Sequence, residues 1–360
     1  MKDNSVKSKT IEWLRFFCIG LIVLLHAVGM PLEGKDAISY QNGAFDTIRI
    51  LFSEGICRVA VPIFFLVSGY LFFVKLEEWN TNIWIDKLKK RVKTLLIPYV
   101  LWNLITICFS LAMLYPKFIL KGGEAPDLIS WYDSIGGLRA FWDGRPGGYP
   151  HNYPLWFMRD LMVFIVLAPI VFQYVKRLKI VGLAILYIAY LLNYWIDLPG
   201  FSAEGLFFFA LGAFFSINRI DFATFFKQNW IVTTSVACPV LVFMVFTYGN
   251  NDEAWGYACR LFTVFGAAST IGIVASLFEK QRIKVHPLLS GSSFFVYAAH
   301  GRLVLPILLF ALAKALPSNQ ICLILSYFIA PLLTIVLLVL CYYFLRKWIP
   351  KTISVLTGGR

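Results

Sequence analysis

IEWLRFFCIGLIVLLHAVGMP, residues 11–31, decides the fold. The run is almost wholly apolar, and about 20 such residues suffice to cross a bilayer. Yet it carries Glu12, Arg15 and His26. A charge at the centre of a spanning helix costs roughly 2.5–3.5 kcal/mol even on the lenient insertion scale. The stretch lacks a small-residue cleavage site, so it reads as a retained span rather than a signal peptide. An ionisable residue kept inside a span is a functional candidate by default.

The rest of the chain agrees with that first run. Its 360 residues are 59% hydrophobic and 15% charged, whereas a soluble domain is roughly 45–50% apolar and about 25% charged. This composition specifies a polytopic membrane protein and leaves no room for a large soluble domain. Nine further apolar segments give an all-α bundle of ten spanning helices, expected near 11–31, 56–74, 95–115, 155–175, 178–196, 201–218, 230–248, 259–278, 291–314 and 321–345.

Lys and Arg set the orientation. One set of alternate loops and termini holds 21 of them and the opposite loops hold six. The positive-inside rule therefore predicts both termini in the cytoplasm. The net charge of +13 is accounted for by these loops, which face anionic lipid, and is no nucleic-acid signature. The basic stretch 75–94 reads as a topogenic loop, although its cations could also meet phosphates. Cys18, Cys57, Cys108, Cys238, Cys259, Cys322 and Cys341 fall in or beside apolar runs, where they read as small hydrophobes rather than a disulfide framework. The residues fix no oligomeric state, and a homo-oligomer stays open.

The two long outer segments are 32–55 and 116–154. The second contains ISWYDSIGGLRAFWDGRPGGYPHNYP. Loops of this length are functional or disordered, and the aromatic content argues against disorder. Rings beside Asp and Arg suit a carbohydrate surface, and an interfacial aromatic belt is the rival reading. His151 in this segment is expected to be exposed.

Within the spans, Arg15 and His26 are eleven residues apart. They therefore lie within roughly 20° of one another around a helix and about 16 Å apart along it. Glu12 can pair with Arg15 one turn away. Arginine grips phosphate in a bidentate fork, and histidine can take a proton from a hydroxyl. A long donor with a phosphate at one end and its reactive group at the other would use both residues. Arg58, Arg159, Asp160, Glu204 and Arg260 stand near outer helix ends, where arginine can also simply reach water. His300 and Arg302 lie near the middle of the ninth helix, too deep for that. The histidines and acids show no metal-ligand spacing.

Several stretches resemble the membrane acyltransferase family 3. The arginine–ten residues–histidine arrangement on the first helix is similar to its signature. RVAVPIFFLVSGYLF (58–72) resembles its second-helix segment. PLWFMRDLMVFIVLAPIV (154–171) and SSFFVYAAHGRLVLP (292–306) resemble two later segments, in family order across most of the chain. Glu12 departs conservatively from the aspartate many members carry before the arginine.

The resemblance implies ten spans and transfer of an acyl group, most often acetyl, from acyl-CoA (acetyl-CoA) across the cell membrane to a carbohydrate hydroxyl. It implies His26 as the catalytic histidine and Arg15 as its essential partner, with Arg58 and Arg159 matching family arginines. Arg58, Arg159, Glu204, His300 and Arg302 are the expected substrate-binding residues. His26 would act as general base or carry the acyl group itself. It further implies a single membrane domain over 1–360, without the hydrolase-like domain some members add. An exporter or flippase of a polysaccharide or lipid-linked sugar would also need a polar interior and outer loops, and stays as the alternative.

Overall fold

The computed structural model describes residues 5–359 apart from 28–42, 75, 77, 122–133, 135 and 197, with side chains of 114–121 not described. The described residues are helical, with one isolated bridge between Arg145 and Tyr149. In chain order the principal helices are α1 (Val6–Leu25), α2 (Ala44–Phe73), α3 (Thr81–Met113), α4 (Tyr153–Val166), α5 (Ala168–Leu191) and α6 (Ala203–Ile217). They continue with α7 (Phe222–Thr247), α8 (Asp252–Glu279), α9 (Pro287–Ala315), α10 (Gln320–Trp348) and the short α11 (Pro350–Leu356). The helices α2, α3, α7, α8, α9 and α10 are each long and apolar enough to cross a membrane, and α4 with α5, bent by 68°, counts as a seventh if taken as one span. All seven cysteines are free.

The outside of this bundle is apolar, as a lipid-facing surface must be. Ile231, Val232 and Phe246 on α7, Ile180 and Val181 on α5, and Leu332 on α10 all stand exposed. The inside is organised around α1, which packs against α2, α7, α8, α9 and α10. Leu14, Cys18 and Val23 on α1 are fully enclosed. Helices α2 and α6 cross closely because glycines meet backbone there. A Cβ on Gly69 would lie 2.1 Å from the Phe209 carbonyl oxygen, and one on Gly212 would lie 2.0 Å from that of Leu66. Small residues at such a crossing let two backbones approach where lipid offers no hydrophobic drive.

Prolines write the irregular turns. Proline lacks an N–H, and its ring clashes with the carbonyl four residues back. Pro98 follows the π-helical turn Val92–Leu96 in α3, and Pro306 follows the π-helical turn His300–Val304 in α9. Pro62 follows the irregular turns Ile50–Val59 in α2, and Pro169 follows the bend between α4 and α5. A second break in α5 falls at Lys179 (φ 48°), where Tyr174 donates to the Gly182 carbonyl across the kink at 2.8 Å. The expected boundary lies between 175 and 178, whereas the two breaks fall at Leu167, inside the expected segment 155–175, and at Lys179, inside 178–196.

Three further expectations change. Helix α1 stops at Leu25, with His26 as its C-cap and Ala27 bonded back to Leu24. The last part of the expected segment 11–31 lies outside the described residues. The basic stretch is no simple loop, because from Thr81 it is helical, capped by the Asn80 side chain on the Ile83 N–H, and it runs on through Arg91 into the apolar part of α3. His151 is fully buried rather than exposed. Its Nε2 lies 3.2 Å from the Ser110 hydroxyl on α3, and its backbone N–H donates to the Ala140 carbonyl at 2.6 Å.

Candidate active site

Two of the sequence-selected residues meet. His26 Nδ1 lies 2.8 Å from His300 Nε2, with the rings nearly parallel and 5.1 Å apart. The π-helical turn beginning at His300 aims its Nδ1 at two backbone carbonyls, Tyr297 at 2.7 Å and Val296 at 3.2 Å. Carbonyls only accept, so Nδ1 of His300 carries the hydrogen. In the neutral ring Nε2 is then the acceptor. It follows that His26 donates from Nδ1, which leaves the lone pair of its own Nε2 outside this bond. One histidine thereby sets the tautomer of the other, as a carboxylate or carbonyl bonded to the far ring nitrogen does for catalytic and metal-bound imidazoles.

Tyr153 stands edge-on to His26, ring centroids 4.8 Å apart. The loop before α4 holds it there. Asn152 accepts no register but one, because its N–H donates to Asn103 Oδ1 and its side-chain amide donates to the Ala298 carbonyl, both at 3.0 Å. Gly301 makes the approach possible, since a Cβ there would come within 2.7 Å of Pro154. Arg302 joins the same corner. Its Nε donates to the His151 carbonyl at 3.4 Å and its guanidinium lies over the Tyr153 ring, while its Nη2 is buried without a partner.

Arg15 sits elsewhere on the same stripe of α1 and opens into a cavity of about 370 Å³. Arg91, Thr94, Ser290 and Gly358 share that end. Phe157, Leu161 and Phe294 supply apolar lining, and Tyr297, whose carbonyl is bonded to His300, is also in the wall. Arg15 and Arg91 bring two guanidinium groups to the same cavity. Thr94 Oγ1 is buried without a partner. The cavity is thus polar and cationic at one end and apolar along its length, the form of a site for a long ligand with an anionic head. The Tyr297 hydroxyl donates to the Pro154 carbonyl, and the Tyr297 carbonyl accepts from His300, so this one residue joins the cavity to the histidine pair.

The other selected residues lie apart from the pair. Arg58 donates to Glu54, which also lies 3.9 Å from Arg49, and its guanidinium stacks over Trp255. Glu204 accepts from Tyr190 at 3.1 Å and feels the charge of Arg58. Arg260 donates to the Leu191 carbonyl at 2.8 Å. These groups form a second polar network on α2, α5, α6 and α8. Arg159 is buried and fully engaged. Nε and Nη2 donate to Asp160 Oδ1, and Nη1 donates to the carbonyls of Trp142 and Gly148, both at 2.6 Å. Among the described residues, no three His, Cys, Asp or Glu side chains gather as a metal-ligand set.

Sequence reasoning did not single out Tyr153, Tyr297, Asn103, Arg91 or Thr94 as site residues. Asn103 had a readable signal, a lone amide inside an apolar run. Arg91 had none, since it is one of several cations in a stretch whose charge already had a topogenic explanation.

Residues 8–346 match the family described as "Acyltransferase domain". Over 373 aligned residues the chain is 26% identical to the "Succinoglycan biosynthesis protein ExoH" of Rhizobium meliloti (strain 1021), covering 99% of this chain and 94% of that protein. No solved structure matches.

Proposed function

The chain belongs to this acyltransferase family and is a multi-pass membrane enzyme that transfers acyl groups other than aminoacyl groups, and on that premise we propose that it moves an acetyl group from cytoplasmic acetyl-CoA to a hydroxyl of a surface polysaccharide. The proposal includes ten spans in the cell membrane with both termini cytoplasmic, so that the Arg15 end of the bundle faces the donor and the His26 end faces the acceptor. The acceptor class rests on the relative, named for succinoglycan biosynthesis.

The observation that carries the reading is the tautomer-fixed pair His26–His300 beside a cavity whose far end holds Arg15 and Arg91. The donor's phosphates take Arg15, Arg91 and the free Thr94 hydroxyl. Its pantetheine arm runs along Phe157 and Leu161, and its thioester reaches His26. There the Nε2 lone pair takes the proton of the acceptor hydroxyl as that oxygen attacks the thioester carbonyl carbon. The C–S bond breaks, the ester forms, and the departing CoA thiolate recovers the proton from His26. His300 steadies the transient imidazolium through the Nδ1–H···Nε2 bond. The unpartnered Nη2 of Arg302 serves the oxyanion, a role in which one donor is worth about 10²–10³-fold in rate.

The test uses purified full-length protein in nanodiscs with acetyl-labelled acetyl-CoA and de-O-acylated succinoglycan. Label should pass to the glycan and vanish with His26→Ala. Acetyl-CoA affinity should fall about 10- to 100-fold in Arg15→Ala and in Arg91→Ala, as expected for a charge-assisted phosphate bond of roughly 1.5–3 kcal/mol. Transfer surviving His26→Ala overturns the role of His26. Acetyl-CoA binding indifferent to both arginines overturns the donor assignment. Label trapped on His26 in the absence of acceptor replaces the general-base step with an acyl-histidine.

A further inference from the structure

A second and larger recess lies on the other side of α4 from the acyl-donor cavity. Its volume is about 750 Å³, within the range of ligand sites, roughly 300–1,000 Å³. The helix itself separates the two spaces. Trp156, Arg159 and Asp160, at i, i+3 and i+4, face the recess. Phe157, Met158 and Leu161 face the donor cavity. Tyr153, which stands against His26, is one turn before Trp156. A ligand in the recess is therefore one helical turn from the histidine pair.

The walls come from two loops that glycine draws together. Gly148 (φ +71°) has no room for a Cβ, which would lie 2.9 Å from Pro199. Gly200 (φ +99°) is likewise blocked by Trp142 at 2.9 Å. Both need a backbone conformation that glycine alone adopts easily. Arg159 fastens one loop to α4 through the Trp142 and Gly148 carbonyls. The other loop is fastened by Trp195, whose indole N–H donates to the Phe201 carbonyl at 2.8 Å, with the two rings 5.3 Å apart. The recess is a built and held shape.

Its lining combines rings with hydrogen-bonding groups. Tyr149, Trp156 and Trp195 offer flat apolar faces, and Asn193 and Asp160 offer polar ones. Asp160 is buried, with Oδ1 taken by Arg159. Ser202 engages the same carboxylate through its N–H, 3.4 Å from Oδ2, and through its side chain, so Asp160 fixes the floor of the recess while the exposed Asn193 supplies a polar group open to a ligand. A pyranose has the matching chemistry, with C–H-lined faces for the rings and hydroxyls that exchange hydrogen bonds with an amide.

We infer that this recess, walled by Tyr149, Trp156, Trp195 and Asn193 over Asp160, binds sugar rings of the acceptor glycan and delivers one hydroxyl past Tyr153 to His26. The inference rests on the acyl-transfer reading for the direction of delivery, while sugar binding itself does not. The experiment titrates full-length protein in nanodiscs with de-O-acylated succinoglycan oligosaccharides, following tryptophan fluorescence and saturation-transfer NMR. Trp195→Ala should weaken oligosaccharide binding at least ~10-fold and Asn193→Ala at least ~3-fold, with the thermal midpoint and acetyl-CoA affinity showing that both variants are folded. In turnover the same variants should raise the acceptor KM by those factors.

Wild-type oligosaccharide affinity in both folded variants overturns the assignment, as does a wild-type protein that binds none of the oligosaccharides. The two readings fail separately. Glycan binding that depends on Trp195 without any movement of label from acetyl-CoA leaves the recess standing and removes the donor reading. Label transfer with an acceptor KM indifferent to Trp195 does the reverse.

Discussion

Replacing His300 tests whether one histidine sets the chemistry of the other. In His300→Ala the Nδ1–H of His26 loses the acceptor that stands 2.8 Å away, and no other hydrogen bond to that ring is present among the described residues. A buried donor left unsatisfied costs about 1–3 kcal/mol. The His26 ring escapes that cost by turning or by moving its hydrogen to Nε2, and either removes the lone pair from the reacting position. At 1.36 kcal/mol per tenfold, kcat should fall roughly 5- to 150-fold.

In the proposed reaction the donor phosphates bind at Arg15 and Arg91, away from His300, so the KM for acetyl-CoA should stay within about twofold. His300→Gln can set an amide oxygen where Nε2 stands and should restore most of the rate. His300→Lys presents only donors and should be the poorest of the three. The assay is single-turnover transfer of labelled acetyl from acetyl-CoA to de-O-acylated succinoglycan, with His26→Ala as the floor. A wild-type kcat in His300→Ala, or equal rates for the Gln and Lys variants, would refute the tautomer argument.

Three other outcomes follow from the packing. Arg159→Ala leaves Asp160 buried and unpaired, which should cost about 3–5 kcal/mol, and Arg159→Lys should recover little because a point charge cannot reach Asp160 and two carbonyls together. Thermal melts of the single variants and the Arg159→Ala/Asp160→Ala pair check this, the pair losing less than the sum. Gly212→Ala pushes a methyl into the Leu66 carbonyl and should lower stability by about 1–3 kcal/mol, read as a lower melting midpoint with no change in the acetyl-CoA KM of what remains folded. Burial, then Arg145, pushes His151 down to about 4 from a free value of about 6.5. Its contribution to stability is therefore complete above pH 6.5 and is lost as pH falls toward 4, on the order of 3 kcal/mol, and the pH dependence of the melting midpoint should flatten in His151→Gln.

Much of the fold was legible because a bilayer imposes simple rules. Apolar length marked the helices, and the interruption at Lys176-Arg177-Lys179 was visible as charge between two greasy runs. The stripe joining Arg15 to His26 followed from helical periodicity alone. What escaped depends on contacts between distant segments. His300 was chosen for its depth, but 274 residues separate it from His26, and nothing local says that the two rings touch. Arg91 became part of a cavity only because a capped amphipathic helix continues straight into a span. Arg58, Arg159 and Glu204 were chosen for chemistry that their neighbours Glu54, Asp160 and Tyr190 already engage. His151 looked exposed because its loop is polar and glycine-rich, whereas Ser110 and Asn103 on α3 offer that loop a polar floor.

The turn that follows α11 carries a consequence for how one cavity wall is built. Helix α11 is held by the Trp102 indole, which donates to the Leu356 carbonyl at 2.9 Å. Gly358 (φ +67°) then lies against the Thr94 carbonyl, where a Cβ would be only 2.4 Å away, and it lines the mouth of the cavity beside Arg15 and Arg91. Residues from the beginning, the first quarter and the end of the chain must therefore assemble before that mouth has its full wall. Three stretches far apart in the chain thus share one wall, so a substitution at Trp102 that frees α11 reshapes a space lined by Arg15 and Arg91 without touching either arginine.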